Sequence, residues 1–155
     1  MLTVARTADL APYVGIDLTP SAWRMIDAER IQRFADISDE CHWIHTDVER
    51  VQRETAFPGL VAHGFLTASL LTSMASECVR IEKADRILNY GIDKLRFTAV
   101  VTAGDRVRLR LKLIDIKTNA DGSHRLTWSC TMDIEGKPRP ALVADFLWLV
   151  MAEPA

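Results

Sequence analysis

The chain is poor in cysteine, and the three it has form no pattern. Cys41, Cys78 and Cys130 are an odd number without a CxxC pair. This usage argues against a disulfide framework or a zinc knuckle, and it is typical of a reducing cytoplasm. We therefore expect a cytoplasmic protein in which Cys78 and Cys130 are buried thiols and Cys41 lies accessible in a polar loop.

An excess of basic charge is also missing. The net charge is −2 over 155 residues, so no basic surface argues for binding to nucleic acid. The longest apolar run, Leu60–Ala75, is interrupted by His63 and several hydroxyl residues, and it is shorter than the ~20 residues that span a bilayer. The N-terminus shows no apolar segment with a cleavage site. We therefore expect neither a membrane segment nor a signal peptide.

What remains is the composition of an ordinary soluble protein. Apolar residues make up 48% of the chain and charged residues 26%, close to the average for globular domains. A chain of this length buries a sizeable core as one unit. We therefore expect a single domain covering residues 1–155.

One stretch, Phe34–Met74, joins two contrasting kinds of sequence. Its first half is dense in titratable side chains: Asp36, Asp39, Glu40, His42, His45 and Asp47. From Leu60 onward the pattern is apolar on every side, which predicts a helix inside the protein rather than on its surface. A polar loop that leads directly into a buried helix can deliver reactive groups to a protected pocket.

The helices can be placed from their caps and spacing. Asp27 and Asp47 are good N-cap residues, and they predict helices over Ala28–Asp36 and Val48–Glu54. Phe57-Pro58-Gly59 interrupts the helical pattern. The buried helix is predicted to run from Leu60 or Ala62 to Glu77 or Cys78. Gly64 lies inside this helix at a cost of ~1 kcal/mol relative to alanine. Close approach of a ligand to its backbone is one reason for a glycine there.

The rest of the chain has strand composition. Val107, Leu109, Leu111 and Leu113 alternate with four basic residues, as in an antiparallel strand with one solvated face. The predicted strands are Ser21–Ile26, Arg86–Ala99, Arg106–Lys117, Arg125–Glu135 and Ala141–Met151. This order predicts an α+β fold in which a single antiparallel sheet wraps around one long helix. Such a sheet leaves an open edge, so we expect self-association.

Two linked motifs carry a resemblance. FADISDECHWIHTD followed by LVAHGFLTASLL resembles the signature of the MaoC-like hot-dog dehydratases, in the branch that includes nodulation protein N. The later NYGIDKLRF and AGDRVRL are similar to the same branch. The resemblance covers about Tyr13 to the end of the chain. It implies the hot-dog fold, a homodimer, and an acyl thioester of coenzyme A or acyl carrier protein as substrate, with no cofactor.

The resemblance also implies site residues. The catalytic histidine of the family falls on His45 and its catalytic aspartate on Glu40. The glycine whose N–H faces the thioester oxygen falls on Gly64, and a supporting hydroxyl falls on Thr72. Where the family pattern has Gly-Asp this chain has Asp39-Glu40, and His42 replaces an Asn or Gln.

Hydration of an enoyl thioester explains these residue types. A base of near-neutral pKa takes a proton from water, and histidine is suited to that role. A carboxyl supplies a proton to C2 if an apolar pocket keeps it protonated. The developing oxyanion needs a backbone donor near a helix N-terminus, where Gly64 lies.

Structural roles stay open for the same residues. Glu40 is equally a functional acid or a solvated loop charge, and His42 fits a structural or solvent-facing position. His63 fits a hydrogen-bonded core residue better than a base, and Thr72 can bond back to its own helix. His42 with His45, or Glu40 with His45, has no third ligand that would complete a zinc site.

The resemblance therefore implies (R)-specific hydration of trans-2-enoyl thioesters, or the reverse dehydration. The alternatives are a hot-dog thioesterase, in which a carboxylate activates water toward the carbonyl carbon, and a protein that binds acyl thioesters without turning them over.

Overall fold

The computed structural model describes residues 1–84 and 86–151. Asp85 and residues 152–155, which the expected single domain includes, lie outside this range. The helices are a 3-10 helix Thr7–Tyr13, α1 Ala28–Ser38, α2 Trp43–Thr46, α3 Val48–Glu54 and α4 Gly64–Cys78. The strands are β1 Leu2–Val4, β2 Arg24–Met25, β3 Val79–Ile81, β4 Ile87–Phe97, β5 Arg106–Thr118, β6 His124–Ile134 and β7 Leu142–Val150.

A five-stranded antiparallel sheet in the order β2-β5-β6-β7-β4 forms the body of the fold. Helix α4 packs against it, and its buried side chains Leu66, Leu70, Leu71 and Met74 join one core with the inward face of the sheet. This arrangement confirms the predicted α+β fold with a long buried helix. It differs in one respect, because β1 and β3 form a separate two-stranded parallel sheet that the pattern did not predict.

The two predicted N-cap residues cap α1 and α3. The Asp27 carboxylate accepts a hydrogen bond from Arg30 N at 2.8 Å, and that of Asp47 accepts one from Arg50 N at 2.9 Å. Helix α3 has the predicted bounds, whereas α1 continues two residues past Asp36. It ends at Asp39, whose φ of 57° lies in the left-handed region. This conformation turns the chain out of α1 and into the polar loop.

The buried helix begins later than predicted because the residues before it are extended. Ala62 N donates to Val101 O and Ala103 N donates to Leu60 O, both at 2.8 Å. Residues 60–62 are thus held against residues 101–103 like a short strand. The chain becomes helical only after His63.

The alternation in β5 is confirmed. The side chains of Val107, Leu109, Leu111 and Leu113 are buried, while the basic residues that alternate with them form ion pairs on the outer face of the sheet. Arg106 lies 3.0 Å from Glu135 and Arg110 lies 3.0 Å from Asp133. Carboxylates on β6 and directly after it thus offset much of the basic charge.

Strand β4 lies at the edge of the five-stranded sheet, and most of its side chains are exposed. Leu88 is 52% exposed, Tyr90 60% and Phe97 45%. An apolar strand at an open edge invites pairing with another strand. In the described part of the chain, no helix is both long enough and apolar enough to cross a membrane.

Candidate active site

His45 lies on the one-turn helix α2 and is half-buried. Its Nδ1 lies 2.6 Å from Val61 O. A carbonyl oxygen only accepts hydrogen bonds, so Nδ1 carries the proton and donates it. Nε2 of the neutral ring is therefore left as an acceptor, which is the form that a general base needs.

The backbone that orients His45 is itself fixed. Val61 N donates to Ile44 O at 3.0 Å, and the next residue, Ala62, is bonded to Val101. The loop, the extended segment before α4 and the segment after β4 are therefore tied together at His45.

A second histidine covers one face of the His45 ring. The rings of His63 and His45 are stacked with centroids 3.7 Å apart, and Phe34 lies 5.0 Å from the His63 ring. His63 is buried, and its Nε2 donates to Glu40 O at 2.9 Å. The expectation that His63 is a hydrogen-bonded core residue is confirmed.

These surroundings lower the pKa of His45 below its ordinary value of 6.5. Burial is the largest cause, because it disfavours the charged ring, and the neighbouring His63 and His42 act in the same direction. The bond to Val61 O and the negative charge of Glu40 oppose the shift without reversing it. His45 is therefore neutral at pH 7 and can accept a proton.

His45 opens onto a cavity of about 340 Å³. Gly64, Thr67, Phe97, Thr98 and Ala141 line it together with His45. Most of this lining is apolar. The cavity therefore places a neutral imidazole beside a surface suited to an uncharged, partly apolar substrate.

Gly64 is the first residue of α4, where a backbone N–H has no partner inside the helix. The structure gives a further reason for glycine at this position. A Cβ on Gly64 would lie 2.8 Å from Cε2 of Phe97, closer than two carbons pack. The close approach that the sequence indicated is therefore made by a side chain of the same protein.

Glu40 lies close to His45 but outside the cavity lining. Its side chain is exposed, whereas its carbonyl oxygen is bonded to His63. Its charge still acts on the pKa of His45. The apolar pocket expected around this carboxyl is not built by the described residues of one chain.

Thr72 and His42 lie apart from the cavity. Thr72 is eight residues beyond Gly64, about 12 Å along the helix axis, and its Oγ1 accepts a bond from Asn89 Nδ2 at 2.9 Å. It lines a second cavity of about 280 Å³. His42 is exposed and caps α2, with its ring 6.4 Å from that of His45.

Sequence reasoning singled out only His45 and Gly64 of the cavity lining, and Thr67 and Phe97 are among the residues that it missed. Thr67 lies one turn after Gly64 on the same helix face, and its hydroxyl donates to Gly64 O at 2.6 Å. Its spacing of three residues from Gly64 was the available signal. Phe97 had no such signal, because its contact with Gly64 depends on tertiary structure.

Among residues 1–84 and 86–151, no three side chains of His, Cys, Asp or Glu converge as metal ligands. Cys78 and Cys130 are buried and Cys41 is exposed, as expected. Burial raises the pKa of Cys78 to about 11 and that of Cys130 to about 12.

Comparison with known proteins places this chain in a family. The model of the MaoC like domain matches residues 10–129. Nodulation protein N of Rhizobium leguminosarum bv. viciae is 36% identical over 148 residues, which are 95% of this chain and 92% of that protein. The 3-hydroxyacyl-thioester dehydratase Z of Mycobacterium tuberculosis is 35% identical over 145 residues, which are 94% of this chain and 95% of that protein.

Solved structures agree on the fold. A MaoC-like dehydratase from Rhodospirillum rubrum superposes with a TM-score of 0.76 at 22% identity, covering 97% of this chain and 99% of that one. The (R)-hydratase of A. caviae involved in PHA biosynthesis superposes with a TM-score of 0.70 at 20% identity, covering 91% of this chain and 96% of that one. The expected hot-dog fold is confirmed. The chain therefore belongs to the MaoC-like domain family.

Proposed function

We propose that this protein catalyses the (R)-specific hydration of trans-2-enoyl thioesters and the reverse dehydration of 3-hydroxyacyl thioesters. The observation that carries the proposal is His45, a neutral imidazole whose Nδ1 is held by Val61 O and which lines a largely apolar cavity beside Gly64. Support comes from a relative of 35% identity that is named a 3-hydroxyacyl-thioester dehydratase.

In the hydration direction, Nε2 of His45 takes a proton from water as the water oxygen bonds to C3. Charge develops on the thioester oxygen, and the Gly64 N–H at the start of α4 stabilises it. Glu40 supplies the proton that C2 receives, and the proton that His45 took from water then returns to Glu40, so that both side chains are restored and the elements of water have been added across C2=C3. We assign supporting roles to Thr72 and His42.

These roles require no cofactor, because proton transfer and a backbone donor accomplish the reaction. The substrate is a thioester of coenzyme A or of acyl carrier protein. We place the enzyme in the cytoplasm as a single hot-dog domain, with no nucleic acid or membrane partner.

We further propose that the protein works as a homodimer in which the β4 edges of two copies pair. The exposed side chains of Leu88 and Tyr90 on this edge support the proposal. A second copy lying against β4 would also cover the exposed Phe65 and Phe97, whose rings lie 5.7 Å apart beside the cavity.

Turnover of crotonyl-coenzyme A separates the candidate functions. Loss of the enoyl absorbance without free thiol supports hydration, and chiral analysis of the product should give the (R)-3-hydroxy isomer. Release of free thiol would instead identify a thioesterase. Saturable binding with neither change would identify a protein that binds thioesters without hydrating them.

A further inference from the structure

His63 contacts the ring of His45 and the backbone of Glu40, the two residues to which the proposed reaction assigns proton transfer. Its Nε2 lies 2.9 Å from the carbonyl oxygen of Glu40. Its ring is stacked on that of His45 with an interplanar angle of 23°. One buried side chain thus connects the loop that carries the candidate acid with the ring of the candidate base.

The place of His63 in the chain makes this connection rigid. It is the N-cap residue of α4, so its backbone leads directly into Gly64. Its ring contacts the rings of both His45 and Phe34, and the residue is only 5% exposed. Its position is therefore set by the same backbone that sets the Gly64 N–H.

A cap is not the function of this side chain. It makes no hydrogen bond to the first turn of α4, although N-cap side chains ordinarily do. Its Nδ1 is buried without a hydrogen-bond partner among the described residues. Leaving a buried polar atom unpaired costs stability, so packing alone does not account for a histidine here.

We propose that His63 is a positioning residue for the hydration reaction. Its hydrogen bond to Glu40 O and its stacked ring hold Glu40 and His45 in fixed positions relative to Gly64. The inference rests on the proposed function and adds to it a residue that touches no reacting atom.

A second consequence concerns protonation. His63 covers one face of the His45 ring and contributes to its burial, which is the main cause of the lowered pKa of His45. The other groups that act on the pKa of His45 are Val61 O and Glu40, which oppose the shift, and His42, which adds to it. Removal of the stacked ring should therefore raise the pKa of His45.

Two substitutions separate the two contacts. His63→Phe keeps a flat ring against His45 and removes the donor to Glu40 O. His63→Gln keeps an N–H donor near the position of Nε2 and removes the ring. His124→Gln is the matched control, because His124 lies on β6, where its ring is bonded to Thr118.

With crotonyl-coenzyme A, the kcat of His63→Phe should fall about 10- to 100-fold, since displacements near 1 Å carry penalties of that order. KM should stay within about threefold, because ground-state binding is little affected. In His63→Gln the acid limb of the kcat/KM profile should move to higher pH, and by more than in His63→Phe. A purely structural role would lower the stability without moving that limb.

The proposal is overturned if both variants keep kcat within about twofold of the parent and the acid limb does not move. A second measurement needs no variant. Imidazole 15N spectra of the parent should show the proton on Nε2 of His63 and on Nδ1 of His45, and the opposite tautomer at His63 would also overturn it.

The same spectra distinguish failure here from failure of the proposed function. If the parent does not hydrate enoyl thioesters, the reaction assignment falls, while titration of His45 in the parent and in both variants still tests its dependence on His63. If the parent is active and the variants match it in rate and titration, only the role of His63 is wrong.

Discussion

The ring of Phe97 occupies the space that a side chain on Gly64 would need, with three ring carbons between 2.8 and 2.9 Å from the position of its Cβ. The residue whose N–H is assigned to the oxyanion is therefore fixed by a contact between α4 and the end of β4. The effect that a substitution at Gly64 has on the stability and activity of the protein therefore depends on Phe97.

Gly64→Ala should lower the free energy of unfolding by about 1–2 kcal/mol. Overpacking costs ~1–3 kcal/mol, from which part of the ~1 kcal/mol helix preference of alanine is subtracted. Urea unfolding measures the change. In a Phe97→Ala background the same substitution should be neutral or stabilising, and an equal loss in both backgrounds would mean that Phe97 is not the obstacle.

The fall in kcat/KM at acid pH should have its midpoint below pH 6.5. Burial lowers the pKa of His45, and only the neutral ring accepts a proton. A pH profile of kcat/KM measures it. A limb well above pH 7 would show that a different group titrates.

The same shift has a consequence for stability. The folded protein disfavours protonated His45, so this contribution to stability is complete above pH ~6.5 and is lost as the pH falls through the lowered pKa. Urea unfolding between pH 7.5 and 5 should therefore show a steeper loss in the parent than in His45→Gln. Equal slopes would indicate that the pKa of His45 does not change on folding.

The fold was largely predictable because its signals are local. Aspartate caps, the alternation in β5 and the all-round apolar pattern of α4 each depend on neighbours in the chain. The β1–β3 sheet was missed, since each strand has only three residues and its partner lies about half the chain away. The extended form of residues 60–62 was missed for the same reason, as it depends on hydrogen bonds to residues 101–103.

The identities of the site residues were largely predictable, whereas their arrangement in space was less so. The resemblance singled out His45 and Gly64, and both line one cavity. Thr72 was singled out with them and lines another, whereas Thr67 shares the cavity. A linear motif does not encode which helix face meets a cavity, or the exposure of the Glu40 carboxyl.

Glu40 is tested by a pair of substitutions. Glu40→Gln should abolish hydration, because an amide cannot deliver a proton, whereas Glu40→Asp should keep or raise activity, since aspartate stands at this position in the family pattern. Both are assayed with the same enoyl thioester. Undiminished turnover by Glu40→Gln would exclude Glu40 as the acid. An inactive parent together with an active Glu40→Asp would favour a protein that only binds thioesters.

Tyr90→Glu should dissociate the proposed dimer, because it places a charge on the apolar β4 edge. Light scattering at micromolar protein should show a dimer for the parent and a monomer for the variant. Ile114→Glu is the control, since Ile114 is also exposed but lies on β5, three strands from β4. A monomeric parent would contradict the proposed assembly.

The central claim is that His45 is the base of an enoyl-thioester hydratase, and the most direct test is the kcat/KM of His45→Ala beside that of the parent and of His124→Ala. With crotonyl-coenzyme A, His45→Ala should lose about 10²- to 10⁴-fold in rate, with circular dichroism showing an unchanged fold, while His124→Ala matches the parent. Retention of more than about a tenth of the parent rate by a folded His45→Ala would contradict the claim.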